Sequence, residues 1–168
     1  QGVLYMNIIG LMACTEKGVI GSKGRIPWRY PNELKHFQEI THNQIIIMGR
    51  KTFEEMSKLS LLKNRKSIVF TRNYSLQNEP TNANIIFVHS LEQFTNLRLE
   101  DEKKIYMIGG AEIAKLFLKN YLLNKFLLTR IHKEYDGDTY FPLSLIEKWD
   151  ITIITTNKDY TIYKYQPN

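Results

Sequence analysis

Six short runs of apolar, largely β-branched residues alternate with stretches of helical period along most of the chain, and no other feature restricts the fold as much. The runs lie at 8–13, 44–48, 67–70, 84–88, 105–108 and 126–131, and the helical stretches at 32–41, 52–58, 91–96 and 111–119. Strands separated by helices return parallel to one another, so the pattern predicts an α/β fold on a mostly parallel sheet. The end of the chain differs: "WDITIITTNKDYTIYKYQP" alternates on both sides of Asn157, Lys158 and Asp159, a turn-prone triplet, and reads as an antiparallel hairpin. The expectation is a single domain over residues 6–168, with a mixed, mostly parallel central sheet, about four flanking helices and a C-terminal antiparallel hairpin. With 168 residues the chain buries a core without disulfides or metals, and no repeat, low-complexity tract or linker divides it.

Met6 reads as a natural start followed at once by a strand, which makes residues 1–5 an appendage. No basic-then-apolar leader and no apolar run near the roughly 20 residues of a membrane span occurs, so the expected address is the cytoplasm. A single cysteine, Cys14, excludes an internal disulfide framework and suits a reducing compartment. The net charge of +6 favours anionic partners, whether nucleic acid, phosphorylated cofactors or small carboxylates. His36, His42, His89 and His132 are scattered and show no metal-ligand spacing with one cysteine, so no metal is expected. A G-x-S-x-G elbow, a Walker lysine loop and a G-x-G-x-x-G fingerprint are all absent.

Three strand ends carry residues suited to a dinucleotide. "IIIM" is followed by Gly49, Arg50, Lys51 and Thr52; "SIVF" by Thr71 and Arg72; "IYMI" by Gly109, Gly110 and Ala111. Open α/β sheets bind ligands at the carboxyl ends of their strands, where helix N-termini present amides and positive dipole to anions. Each motif alone is a common strand-to-helix junction, and their repetition at strand ends gives them weight. Arg50 and Arg72 are cations that can converge on a further phosphate, such as the 2′-phosphate that separates NADPH from NADH.

Two long loops, 15–30 and 134–142, interrupt this pattern. After the first, "GRIPWRYPNELKHF" opens a helix with Pro31 at its first position and Glu33 near its third. A glutamate there can simply complement the helix dipole from solvent. Against that, Tyr30 supplies no capping box, and Glu33, Phe37 and Ile40 share one stripe at i, i+4, i+7, with Leu34 beside Phe37. A carboxylate on that stripe must be protonated or meet a polar partner.

In order, Ile20 and Gly21, Pro27 and Trp28, Glu33, Leu34 and Phe37, then "IIIMGRKTFE", "SIVFTR", "IYMIGGAEI", "LLTRI" and "DGDTYFP" resemble dihydrofolate reductases of the chromosomal bacterial type, from Met6 to the C-terminal hairpin. The resemblance implies an oxidoreductase that moves a hydride from NADPH to C6 of 7,8-dihydrofolate with protonation at N5. The product, 5,6,7,8-tetrahydrofolate, supports one-carbon metabolism and thymidylate synthesis. By position it makes Glu33 the acid that takes the pterin 2-amino group and N3–H, a bidentate match to one carboxylate, with Thr129 hydrogen-bonded to that acid and Trp28 closing the site. It assigns Leu11, Met12, Ala13, Leu34, Phe37, Met56 and Ile108, with Leu61 and Leu62, to the substrate's apolar wall, and Arg65 to the carboxylate of the glutamate tail. NADPH is matched by Ala13, Ile20, Gly49, Arg50, Lys51, Thr52, Thr71, Arg72, Gly109, Gly110, Ala111, Glu112 and Ile113. Asp138 is expected to brace a mobile loop, residues 21–26, over the nicotinamide. Antifolate inhibitors are expected ligands, and the chain is expected to be a monomer.

The chain departs from the family's pattern in three places. The acid is Glu33 where many bacterial members carry Asp; Ala114 stands where an aromatic is usual, which predicts a looser wall beside the nicotinamide; extra residues before Arg65 shift the register of Leu61 and Leu62. The rival readings are the reductase of riboflavin biosynthesis, which shares the fold, and a basic nucleic-acid-binding module. The Trp28–Glu33 helix and Arg65 argue against the first, and the dispersed lysines and arginines against the second.

Overall fold

The computed structural model describes residues 7–21, 26–75 and 84–168. The appendage expected at 1–5, the start at Met6, and residues 22–25 of the first long loop lie outside the described residues. In chain order the elements are β1 (Ile8–Thr15), β2 (Val19–Gly21), α1 (Pro31–Thr41), β3 (Ile45–Gly49), α2 (Arg50–Lys58), β4 (Lys66–Phe70) and β5 (Ile85–Val88). They continue with α3 (Leu91–Thr95), β6 (Ile105–Met107), α4 (Ala111–Lys119), β7 (Lys125–Ile131), β8 (Thr139–Tyr140), a 3-10 turn at Leu143–Leu145, β9 (Asp150–Thr156) and β10 (Tyr160–Gln166).

Eight strands form one sheet in the order β5-β4-β3-β6-β1-β7-β10-β9. Neighbours from β5 to β7 are parallel, and β10 is antiparallel to both β7 and β9, as the mixed-sheet expectation requires. The hairpin turns on Asn157, whose Oδ1 accepts the N–H groups of Asp159 (2.8 Å) and Tyr160 (3.0 Å), a side chain standing in for a backbone turn.

The central strand β3 shows how the core is divided. Ile45 and Ile47 face a cluster containing Phe94, Phe117 and Phe126, whereas Ile46 and Met48 face a second cluster containing Leu11, Phe37 and Val69. All four are buried, because helices cover both faces of a parallel sheet and leave no solvent side. α1 thus lies over the second cluster through Phe37, and α4 over the first through Ala114, Phe117 and Leu118.

Both long loops contain a strand that the sequence reading lacked. β2 and β8 pair antiparallel as a separate two-stranded sheet, and Phe141 N–H donates to Gly18 O at 2.7 Å. With three and two residues, these strands have no periodicity to detect; they exist because distant segments meet. Gly137 permits the meeting: a Cβ there would lie 2.6 Å from the Gly21 carbonyl oxygen. α2 also starts at Arg50 instead of the expected 52, since Gly49 in extended conformation already serves as its N-cap.

Candidate active site

The carboxyl ends of β1, β3, β4, β6 and β7, with α1, α2 and α4, enclose a cleft of about 1560 Å³. Single drug-sized ligands occupy roughly 300–1,000 Å³, so two ligands fit side by side.

One wall is apolar and carries a single acid. Pro31 occupies the first turn of α1, and Tyr30 caps it in extended conformation without a side-chain hydrogen bond, its carbonyl accepting the N–H groups of Glu33 (3.1 Å) and Leu34 (3.2 Å). This sends Glu33 into the cleft with Phe37, opposite Leu11, Met12, Ala13 and Ile108. Burial raises the Glu33 carboxyl to about 7, and no hydrogen bond holds it among the described residues. Thr129 is buried and lines the same wall, but no direct hydrogen bond joins it to Glu33 among the described residues, which corrects the expected contact. β7 holds Thr129 in register between Ala13 and Ile162 and α1 carries Glu33, so a bond between them depends on the rotamers of the two side chains. Trp28 closes the end of the wall at 8 % exposure, packed on Ile131, Tyr160 and Ile162 with its ring 5.9 Å from that of Tyr135.

The other wall is built for anions. α2 and α4, nine residues each, follow the N-caps Gly49 and Gly110, which supply no side-chain cap, so their first amides remain for a ligand. The two starts are tied together by Gly49 N–H donating to Gly109 O at 2.9 Å. A Cβ on Gly110 would meet only Thr52 Oγ1, at 3.8 Å, which leaves open space against the backbone, and Gly109 has a φ of +110° that glycine adopts without strain. Arg50, Lys51, Thr52, Thr71, Arg72, Ala111, Glu112 and Ile113 line this wall, with Ile20 at the junction of the two. Arg50 is held by Glu54 at 2.6 Å. These features fit a dinucleotide pyrophosphate at two uncapped helix starts with cations beyond it.

Four expected residues stand off the lining. Gly109 is turned toward Met12, which its Cβ position would face. Leu61 is buried just past α2, its N–H donating to Met56 O at 3.0 Å, and Leu62 packs against the second core cluster. Arg65 fastens the end of α1: Nε donates to Thr41 Oγ1 (2.8 Å), Nη2 to Gln38 O (2.9 Å) and Nη1 to Lys63 O (2.6 Å). Leu34 and Met56 do line the cleft, Leu34 at its open side with 38 % exposure. Asp138 lines it too, with its N–H on Gly21 O at 3.0 Å and its Oδ1 accepting Thr139 Oγ1 at 2.9 Å, so the two loops meet through the β2–β8 pairing. Ala114 is fully buried and does not reach the cleft; the wall beside Gly109 is Met12, whose Cε lies 2.8 Å from where a Gly109 Cβ would stand.

The dihydrofolate reductase family model matches residues 7–166. The chain belongs to the dihydrofolate reductase family. It is 41% identical over 135 residues to the dihydrofolate reductase of Lactococcus lactis, covering 80% of this chain and 77% of that one. It is 36% identical over 141 residues to that of Haemophilus influenzae, covering 84% and 82%. Among solved structures, dihydrofolate reductase from Enterococcus faecalis complexed with NADP(H) and RAB-propyl superposes with a TM-score of 0.76 at 29% identity, covering 100% of this chain and 99% of that one. The dihydrofolate reductase fold therefore spans both the acid wall and the anion wall.

The cleft also contains residues the sequence reading missed. His89 and Ser90 follow β5, a fourth strand end to which the reasoning used for β3, β4 and β6 applies equally. Glu55 lies one turn after Thr52; burial raises its carboxyl, which accepts the Ile26 N–H. His36 lies one turn after Glu33 on the same helix face.

Proposed function

We infer that the protein reduces 7,8-dihydrofolate to 5,6,7,8-tetrahydrofolate with NADPH as reductant. The observation that carries the reading is Glu33, a carboxyl that burial raises to about 7 on the apolar wall of a two-ligand cleft, in a chain of this family. Bound NADPH supplies the hydride that reaches C6 of the pterin. Glu33 takes the 2-amino group and N3–H of the pterin as a bidentate pair, an arrangement that favours its ionised form and orients the ring. The N5 proton comes from water, and Glu33 biases that protonation equilibrium. Thr129 supports this wall without bonding the acid directly, and Trp28 excludes solvent from it.

Leu11, Met12, Ala13, Leu34, Phe37, Met56 and Ile108 form the apolar contacts to pterin and aminobenzoyl rings, with Leu62 behind Phe37. Arg65 takes the glutamate tail. Three of its five N–H groups are committed to Thr41, Gln38 and Lys63, leaving one on each Nη to fork a carboxylate. On the cofactor side the amides beginning α2 and α4 hold the pyrophosphate with Thr52, and Arg72 with Arg50 and Lys51 hold the 2′-phosphate. Asp138 and the β2–β8 pairing brace the loop that covers the nicotinamide. We place the enzyme in the cytoplasm as a monomeric single domain over 6–168. Buried Cys14, raised to about 12, takes no part in thiol chemistry. Among the described residues no helix is long and apolar enough to cross a membrane.

Dihydrofolate-dependent oxidation of NADPH by the purified protein tests this reading, with a ribosylated pyrimidine and an oligonucleotide as competing ligands. Turnover with dihydrofolate alone supports it; turnover with the pyrimidine, or oligonucleotide binding without NADPH binding, overturns it. Arg72→Ala is expected to raise KM for NADPH about tenfold and leave KM for NADH unchanged, since a charge-assisted pair contributes roughly 1.5–3 kcal/mol and NADH lacks the phosphate.

A further inference from the structure

His36 is a titratable group inside the cleft that the reaction described above does not use. Its Nε2 is buried and has no hydrogen-bond partner. It stands at i+3 from Glu33, and residues so spaced have Cβ atoms about 5–6 Å apart on one helix face. Helical side chains lean toward the N-terminus, so the imidazole lies over the turn that carries Glu33. Glu33, half-buried at the cleft, is desolvated and has no hydrogen bond among the described residues. The buried His36 nitrogen is left unpaired at a cost in free energy, and the desolvated Glu33 carboxyl one turn away is the nearest group on its own helix that can satisfy it.

We propose that His36 is a positioning residue for Glu33: a change of the Glu33 rotamer closes a hydrogen bond from its carboxyl to His36 Nε2. The imidazole donates to the carboxylate when the acid is ionised and accepts from the carboxyl when it is protonated. The two protonation states of the acid are thereby each met by one side-chain partner. Burial raises the Glu33 carboxyl to about 7 and lowers the His36 imidazole, so desolvation favours the neutral form of both. The surrounding charges leave the pair to itself. On α1, Glu39 favours His36 protonation but is exposed and lies 3.9 Å from Lys35. Across the cleft on α2, Glu54 is tied to Arg50 and Glu55 accepts the Ile26 N–H, with Lys51 on the same helix. β7 presents Thr129, which does not titrate, and its Arg130 bonds Thr15 O and the Tyr165 hydroxyl, away from the cleft lining.

This proposal rests on Glu33 being the functional acid, so its test has a readout besides turnover. Titration of the Glu33 carboxyl by difference infrared spectroscopy, with Glu33→Gln as the blank, is expected to move up about one pH unit in His36→Phe. It is expected to return toward the parent value in His36→Gln, whose amide nitrogen can occupy the place of Nε2. In steady-state assays the pH profile of kcat shifts by the same amount, with KM for NADPH unchanged. An unmoved Glu33 titration in folded His36→Phe overturns the proposal, whatever the enzyme turns over. Should that variant not fold, the His36 Nε2 nitrogen resonance of the parent is followed across the Glu33 titration: movement that disappears in Glu33→Gln supports the pair, and no movement overturns it.

Discussion

Glu33→Gln is expected to make the ligand-free protein more stable at pH 8, by on the order of 3 kcal/mol, with the gain shrinking to nothing as pH falls to about 4.5. The reason is the direction in which burial moves the carboxyl, from 4.5 to about 7. Between those values the native state holds a proton that the unfolded chain has lost. The neutral acid's contribution is fully present below pH 4.5 and is lost as pH rises through 7. Above 7 the native protein carries an ionised carboxylate that its desolvated surroundings disfavour, a cost that a neutral amide avoids. For a chain of this size the difference is roughly 6–12 °C in Tm at pH 8. Thermal unfolding of both proteins at pH 4.5, 6 and 8 measures it, and a pH-independent difference contradicts it.

Gly10→Ala should destabilise by about 3 kcal/mol, the high end of overpacking costs, because neither neighbour can yield. A Cβ on Gly10 would stand 2.7 Å from Phe126 Cγ and closer still to the ring edge. Phe126 is fully buried on β7, directly in register with Gly10 of β1, and its ring packs edge-on against Phe141 at 5.1 Å. Moving the ring disturbs both the strand pairing that sets Ala13 beside Thr129 and the segment following β8. Denaturant titration is expected to lower the midpoint with little change in slope; an unchanged midpoint contradicts this account of the packing.

The sheet was legible because its signals are local. β-branched runs such as "IIIM" and "SIVF" can do little but form buried strands, and Asn157 announced its turn by residue type alone. β2 and β8 were illegible for the opposite reason: their pairing depends on a clearance at Gly137 that no window of sequence encodes. At the site, helical spacing pointed Glu33 away from a solvated dipole position, and Glu33 lines the cleft wall. The same spacing, carried one turn further, leads to His36, and the strand-end rule, applied once more, to His89 and Ser90. The expected Thr129–Glu33 bond failed because a resemblance transfers residues, whereas a hydrogen bond depends on rotamers. Arg65 was identified by the carboxylate it can hold; its anchoring of α1 through Gln38 and Thr41 appears only once the loop before it is folded.

The central claim is that one buried carboxyl both orients the pterin and governs its protonation. It is tested most directly by the rate of dihydrofolate-dependent NADPH oxidation at pH 7 in Glu33→Gln against the parent. An amide opposes a donor to one of the two pterin donors and cannot gain or lose the proton, so kcat/KM is predicted to fall by about 10²–10³-fold in a protein that is folded and more stable than the parent. A folded Glu33→Gln protein that turns over within about twofold of the parent would contradict the account.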